Sequence, residues 1–571
     1  MNGKKNNTNK KKSFYFDDYT ESEILNKSAE IKLVKILPYR VNFLFFTFCS
    51  LILIFSIKII YLSLYPEKNY FLQKITHDFS KERGDIVDRN GTILARSIEV
   101  YSAGVRPKLI KDKEKFLLGL RLKFPELDTN RIKKKLKKNK FFYIKKRLTD
   151  HEKTKLWLMG DRAIVLEKKQ FRIYPQKNLF SHVLGQIDDS NFGISGVEKF
   201  FDDELKKKES INSSLNLTLD SNLQYIIREE LIKADKSFNV IGSAALLMNV
   251  DNGKILSLIS LPDYDLNKRS LIQDDVYTNK ITKGVYEMGS VFKTFTLAAG
   301  LKNNIINSKT MFNNLESKIS CAGREISEHD KLPKNLSAEQ ILIRSSNIGA
   351  IRIAQKIGIE KYKNFLNSLK LFETIDFDLE EVGTPLAFKW GKCKLATASF
   401  GHGITTTPLQ LARAYAILGN GGYEIKPTIL QLKKLSEQKK QIISQETSTT
   451  INSMLRKVVA NEEGTANFAN IEGYEVGGKT GTALKSFSGV YTNKKLNTFV
   501  SLFPTSRPKY VLLVMLDEPK PAPDFIYEFQ TGYKHKGEKR NTSGWNTVVV
   551  AGKIIEKIGP ILAIKNLQVS R

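Results

Sequence analysis

Residues 41–65 carry one charge, Lys58, in a run otherwise dominated by Phe, Leu and Ile. A stretch of this length spans a bilayer core, which needs about 20 apolar residues. Tyr61 and Tyr65 suit the interfacial belt, and Lys58 can snorkel toward it. No small-residue cleavage site follows, so the run is expected to persist as an anchor. Residues 1–40 are polar and lysine-rich, the pattern of a disordered tail, and Lys32, Lys35 and Arg40 keep that side cytoplasmic. Beyond the anchor the period changes. Ser243–Val250 and Lys254–Leu261, joined by Asp251-Asn252-Gly253, read as a hairpin. A second is predicted from Leu496 onward and over Lys509–Leu516, turning around Pro504–Pro508. With a strand carrying Lys479, these form an antiparallel sheet. Helical stretches cover Ile351–Leu369, Leu409–Leu418 and Trp545–Ile558, the last stopped by Gly559-Pro560. Asp220 or Ser221 is expected to cap a helix through Leu223–Ile227. The class is α+β, an antiparallel sheet with helices on its face and a helical lobe beside it. The expected order is a tail (1–40), an anchor (41–65), a first extracytoplasmic domain (66–235), a second (236–565) and a short tail (566–571).

Composition changes this picture little. At 571 residues the chain has room for several cores. The net charge of +31 comes from lysines spread along most of the length, with no nucleic-acid motif, so no nucleic-acid partner is expected. The basic run Arg131-Ile132-Lys133-Lys134-Lys135-Leu136-Lys137-Lys138 reads as a solvated helix face. Of three cysteines, Cys49 lies in the anchor. Cys321 and Cys393 lie beyond it, where a disulfide is possible but not fixed by sequence. Six scattered histidines show no metal-ligand spacing, and neither metal nor cofactor is expected.

The candidate chemistry starts at Tyr286-Glu287-Met288-Gly289-Ser290. From Ser290 the residues read as a helix apolar almost all round, through Val291, Phe292, Phe295 and Leu297, and such a helix is buried. Its polar exceptions, Ser290 and Lys293, are three apart and share a face. This suits a serine nucleophile with a lysine base. Ser-x-x-Lys is a loose pattern, however, and recurs at Ser436–Lys439, a polar run, and Ser506–Lys509, where Pro508 suits a hairpin turn. Two later motifs separate the copies. Ser345-Ser346-Asn347 is weak alone and would read as a helix cap. Lys479-Thr480-Gly481 opens a strand, and its glycines let a substrate backbone come close. The order Ser-x-x-Lys, Ser-x-Asn, Lys-Thr-Gly is the set shared by penicillin-binding proteins and class A β-lactamases.

With these motifs the chain resembles the class B penicillin-binding proteins, most like the septal FtsI type. Arg83-Gly84-Asp85-Ile86-Val87-Asp88-Arg89-Asn90-Gly91 matches the box opening that family's membrane-proximal domain. Arg172, Tyr174-Pro175, His182, Gly185 and Gly193–Glu198 match later boxes, and Gly401-His402-Gly403-Ile404 is also similar. The resemblance covers roughly residues 80 to 560. Met288 departs from it, standing where the family usually has proline.

The resemblance implies a serine β-lactamase-like transpeptidase domain on an elongated pedestal (dimerisation-type) domain, anchored by one helix in the bacterial inner membrane with the catalytic domain periplasmic. It implies cross-linking of peptidoglycan stem peptides at D-Ala-D-Ala, with covalent capture of β-lactams. Its roles map onto Ser290 as nucleophile, Lys293 as base and Ser345 as proton relay. Asn347 holds the substrate amide, and Lys479, Thr480, Gly481 and Thr482 bind its carboxylate. The N–H groups of Ser290 and Thr482 form the oxyanion hole. A free lysine titrates at about 10.4, so a base near pH 7 needs this lowered by roughly 3, about 4 kcal/mol. An FtsW-type glycosyltransferase and other division proteins are the implied partners. An elongation-type transpeptidase, a carboxypeptidase or β-lactamase-like hydrolase, and a non-catalytic scaffold are the alternatives.

Overall fold

The computed structural model describes residues 38–64, 83–207, 213–268, 274–386, 388–391, 393–431, 440–487, 490–529 and 532–569. Most of the expected N-terminal tail, the segment up to residue 82 and the last two residues lie outside these. The chain divides into two units, residues 1–81 and 82–571. In the first, helix α1 (Pro38–Leu64) begins at a proline, which a first helical turn tolerates. Among the described residues it alone is long and apolar enough to cross a membrane, over Asn42–Tyr61.

The second unit opens with strands β1 (Ile86–Val87), β2 (Ile93–Val105), β3 (Phe142–Leu148) and β4 (Ile164–Ile173). The long β2 pairs antiparallel with both β3 and β4, and β5 (Leu215–Asn216) joins β1 in parallel. Helices α2 (Lys113–Lys123), α3 (Thr129–Lys137) and α4 (Asp150–Trp157) surround a small core of Phe116, Leu120, Ile132 and Leu136. α3 carries the basic run. Ile132 and Leu136, four apart, are buried while Lys133, Lys134 and Lys137 are exposed. At the base, buried Glu198 accepts from Arg83 Nε at 2.6 Å and Arg172 Nε at 2.7 Å. This triad draws together the chain before β1, the end of β4 and the turn at Gly196–Phe200.

The central sheet follows. Strands β6 (Gly242–Asn249) and β7 (Ile255–Leu261) form the first hairpin. A small outlying hairpin, β8 (Lys318–Cys321) and β9 (Arg324–Ser327), interrupts the helical lobe. Strands β10 (Gly477–Phe487), β11 (Val490–Phe503) and β12 (Tyr510–Asp517) complete the sheet in the order β10-β11-β12-β6-β7, all antiparallel. Every residue of β12 is buried, so both faces are covered. Helices α5 (Ser221–Phe238), capped by Asp220, and α12 (Thr547–Val569) pack on each other and on the sheet. The boundary expected at residue 235 falls inside α5. The helical lobe holds α6 (Lys293–Lys302), α7 (Ala338–Ile343), α8 (Asn347–Ile357), α9 (Ile359–Ser368), α10 (Pro408–Gly419) and α11 (Gln445–Ala460).

Two sequence expectations are corrected here. The stretch Ile351–Leu369 is not one helix: Gly358, at φ +82°, ends α8 and starts α9, a conformation that glycine adopts without strain. The last helix does not stop at Gly559-Pro560 but runs through it to Val569. Ile554, Ile555 and Ile558 are buried, whereas Glu556 and Pro560 face solvent. The carbonyl left without its helical partner by the proline is thus on the wet side, where water satisfies it.

Candidate active site

Ser290 sits in a 3₁₀ turn, Gly289–Phe292, that leads directly into α6. The turn is locked from behind by α10, where the Tyr415 hydroxyl donates to the Val291 carbonyl at 2.8 Å and pairs with Thr294 Oγ1 at 2.8 Å. Val291, Phe292, Phe295 and Leu297 are fully buried, as their apolar run predicts. Lys293, one turn after Ser290, is also fully buried, while Ser290 remains half-buried at the edge of a cleft.

The second motif lies in the tight connection between α7 and α8. Ser345 takes φ +60°, a left-handed conformation uncommon for serine, before Ser346 caps α8. The Ser345 carbonyl and hydroxyl thereby turn toward Lys293. Nζ of Lys293 donates to both, the hydroxyl at 3.1 Å. Asn347 follows a different course. Its Nδ2 donates to the Ser327 carbonyl at 2.9 Å, and its side chain is engaged with the β8–β9 hairpin.

The third motif is on β10, the edge strand. Register pairs Lys479 with Val500 and Thr482 with Asn497. Lys479 is fully buried, and its Nζ donates to Ser345 Oγ at 2.9 Å and to Thr480 Oγ1 at 3.2 Å. At Gly481 a Cβ would stand 2.3 Å from the Met288 carbonyl, so only glycine lets β10 lie against the Ser290 turn. The Thr482 hydroxyl accepts from the Ser543 N–H at 3.1 Å. Sequence residues far apart therefore gather around one hydroxyl, that of Ser345.

The electrostatics follow from burial. Loss of water pushes the Lys293 amine down to about 7, opposed by Glu328. Burial, and then the charge on Lys293, push Lys479 well below the usual lysine value. Two ammonium groups sharing one acceptor in a dry site titrate as a pair, and one proton leaves it first.

Ser290, Ser345, Thr480 and Thr482 line a cleft of about 390 Å³. Its far wall is aromatic, with Phe468, Phe529 and Trp545 in mutual contact and Arg540 stacked on Trp545 at 4.5 Å. Glu328, His329 and Asp330 approach from the segment after β9. Sequence motifs signal none of these, because they belong to no local pattern and meet the cleft only through folding. A larger cavity of about 670 Å³ lies at the β6–β7 turn and holds no motif residue. Of its cations, Arg413 and Lys370 pair with Glu424 and Lys426 pairs with Asp376. Among the described residues no three His, Cys, Asp or Glu gather as a metal-ligand set. Cys321 on β8 is joined to Cys393 in a disulfide, with Cα atoms 5.8 Å apart.

Comparison with known proteins agrees in extent. Residues 243–537 match the penicillin-binding protein transpeptidase domain, and residues 80–224 the penicillin-binding protein dimerisation domain. The chain is 32% identical over 497 residues to the probable peptidoglycan D,D-transpeptidase FtsI of Caulobacter vibrioides, covering 85% of this chain and 82% of that protein. It is 30% identical to the stage V sporulation protein D of Bacillus subtilis, covering 77% and 75%. Among solved structures, penicillin-binding protein 3 of Mycobacterium tuberculosis in complex with aztreonam superposes with a TM-score of 0.65 at 21% identity, covering 85% of this chain and 96% of that one.

Proposed function

The chain belongs to the class B penicillin-binding proteins, with dimerisation and transpeptidase domains in one polypeptide, and on that premise we propose that its motif residues carry out peptidoglycan D,D-transpeptidation. The substrate is the D-Ala-D-Ala end of a stem peptide, and the product is a cross-link. A septal role is supported by the FtsI relatives. β-Lactams are captured covalently at the same serine. The observation that carries the reading is the meeting of Lys293 and Lys479 on the Ser345 hydroxyl, one turn from Ser290.

In this reading the donor carboxylate binds Lys479, Thr480 and Thr482. Its negative charge holds the proton on Lys479, and that charge in turn favours neutral Lys293. Neutral Lys293 takes the Ser290 proton as Oγ attacks the penultimate carbonyl. The N–H groups of Ser290 and Thr482 receive the developing oxyanion, an effect worth about 3–4 kcal/mol per donor. The C–N bond then breaks, and the leaving D-alanine amine takes its proton through Ser345. A second stem-peptide amine attacks the acyl-enzyme and gives its proton back to the lysine pair. Asn347, with Nδ2 already engaged, offers its Oδ1 to a substrate N–H.

The alternative is a hydrolase. Glu328, Asp330 and Glu462 line the cleft, and of these Glu328, the one beside Ser345, has both oxygens occupied by the start of α8. That suits it poorly to activate water and favours transfer. The anchor side with Lys32, Lys35 and Arg40 is cytoplasmic, which puts the catalytic domain in the periplasm beyond the inner membrane. An FtsW-type glycosyltransferase is the expected partner.

The test is a time course of fluorescent-penicillin labelling on the purified membrane protein and its Ser290→Ala variant. A label confined to the wild type that persists for many minutes supports the transferase. Rapid loss of label with drug consumption would mean a hydrolase, and equal labelling of both proteins would remove Ser290 from the mechanism.

A further inference from the structure

The loop after β9 touches the catalytic motif from outside it. Glu328 accepts hydrogen bonds from Ser346 Oγ at 2.6 Å, from the Asn347 N–H at 2.7 Å and from the Ile348 N–H at 3.0 Å. The two N–H groups are N-terminal donors of α8, which no helical carbonyl can satisfy, and the helix dipole there favours an anion. Ser346 cannot supply this alone. Its hydroxyl oxygen already accepts from the Gly349 N–H at 2.9 Å, and its proton goes to Glu328.

The consequence reaches Ser345, the residue just before. Its φ of +60° is strained, and such a conformation persists only where the surroundings over-determine it. On one side α7 does so, through the Ser345 N–H to Leu342 carbonyl bond at 3.2 Å. On the other side stands Glu328. The same loop also receives Asn347 Nδ2 on the Ser327 carbonyl. The loop is itself tied down: the Glu328 N–H donates to the Ser317 carbonyl at 3.1 Å, and the Cys321–Cys393 disulfide fastens the hairpin to the chain before the helix Lys394–Ala398.

Resting on the transpeptidase reading, we infer that Glu328 is a positioning residue for this reaction, its carboxylate fixing the start of α8 so that the Ser345 hydroxyl is held between the two lysine amines, with the disulfide-stapled hairpin as its support. Glu328 does not touch the reacting atoms; it acts through Ser346, Asn347 and Ile348. It is also the anion that opposes the lowering of Lys293. The charged and titratable groups around that amine are Lys479 across Ser345, Glu328 itself and His329.

The experiment measures the second-order acylation rate with fluorescent penicillin across a pH series, on full-length protein in detergent, with thermal unfolding in parallel. Glu328→Gln should slow acylation by about 10- to 100-fold, the range for a lost supporting contact or a displaced catalytic group. The label should stay on Ser290. The pH at which the rate reaches half its maximum should move down, because the anion that favours charged Lys293 is gone. Glu328→Asp should recover part of the rate. A Glu328→Gln protein that acylates at the wild-type rate with the wild-type midpoint overturns the inference, even if it melts earlier. Should that variant not fold, the Cys321→Ser/Cys393→Ser protein loosens the hairpin while keeping Glu328. A rate lowered at least about threefold is then expected, and an unchanged rate overturns the support role. A wild type that takes no label overturns the transpeptidase reading beneath all of this, which separates the two failures.

Discussion

Lys293 and Lys479 meet at a single hydroxyl: both amines donate to Ser345 Oγ, at 3.1 and 2.9 Å, with neither side chain exposed to water. A buried amine is the source of both the reactivity and the instability of this site.

The pH dependence follows from that burial. With Lys293, the proposed base, lowered to about 7, the rate of acylation through its neutral form should increase as the pH rises through 7. It should fall by about tenfold for each pH unit further below. Stopped-flow acylation across pH checks this, and a flat profile from pH 5 to 8 would contradict it.

The same amine should weaken the fold. Its folded value lies below its ordinary value of 10.5, so between those two the unfolded chain binds more protons and stability rises with pH. The gap corresponds to roughly 5 kcal/mol at most. Lys293→Met should abolish acylation yet melt at or above the wild-type temperature at pH 7. A clear drop in melting temperature would show that the bonds to Ser345 outweigh the desolvation.

Ser345 combines a hydroxyl with a left-handed backbone. Ser345→Ala and Ser345→Gly should lose acylation to a similar extent, since both lack the hydroxyl. The glycine variant should be the more stable of the two by about 1 kcal/mol, because glycine adopts φ +60° without strain. Thermal unfolding of the pair measures this difference directly.

At Gly401 a Cβ would stand 2.1 Å from the Gly289 carbonyl, and the backbone is at φ +79°. Gly401→Ala should therefore displace the Ser290 turn. A loss of about 100-fold in acylation is expected from a shift of about 1 Å, although the residue offers no reactive group.

Glu198 is buried between two guanidinium groups. Glu198→Gln should destabilise the protein by about 3–5 kcal/mol, leaving Arg172 without its carboxylate partner while Arg83 keeps only Asp202. Acylation well below the melting temperature should be nearly unchanged, because the triad lies in the pedestal.

Much of this was legible in the chain. The strands of both hairpins appear where alternating or continuous apolar runs meet turn residues. The helix after Ser290 is buried because it is apolar all round, and the run before the first domain forms a helix long and apolar enough to cross a membrane. Asp220 caps α5 as its side chain suggests. The break at Gly358 and the passage of α12 through Pro560 run against the local pattern. A glycine or proline signals a possible interruption, and whether it becomes one depends on which side faces water.

The sequence by itself determined which groups were available and which local structure carried each: a serine and a lysine on one helical turn, a serine on a tight connection, a lysine on a strand. Only the tertiary structure decided that they share a point in space. Lys293 and Ser345 are 52 residues apart, and Lys479 and Ser345 are 134 apart. Those distances are set by sheet register, by the fit of Gly481 under Met288 and by the clamp of Glu328 on α8. The pairing of Cys321 with Cys393, the turning of Asn347 toward Ser327 and the lowering of Lys293 were decided the same way. Each depends on what a side chain faces after packing, and a local pattern of polar and apolar residues carries no information about a neighbour supplied by a distant part of the chain.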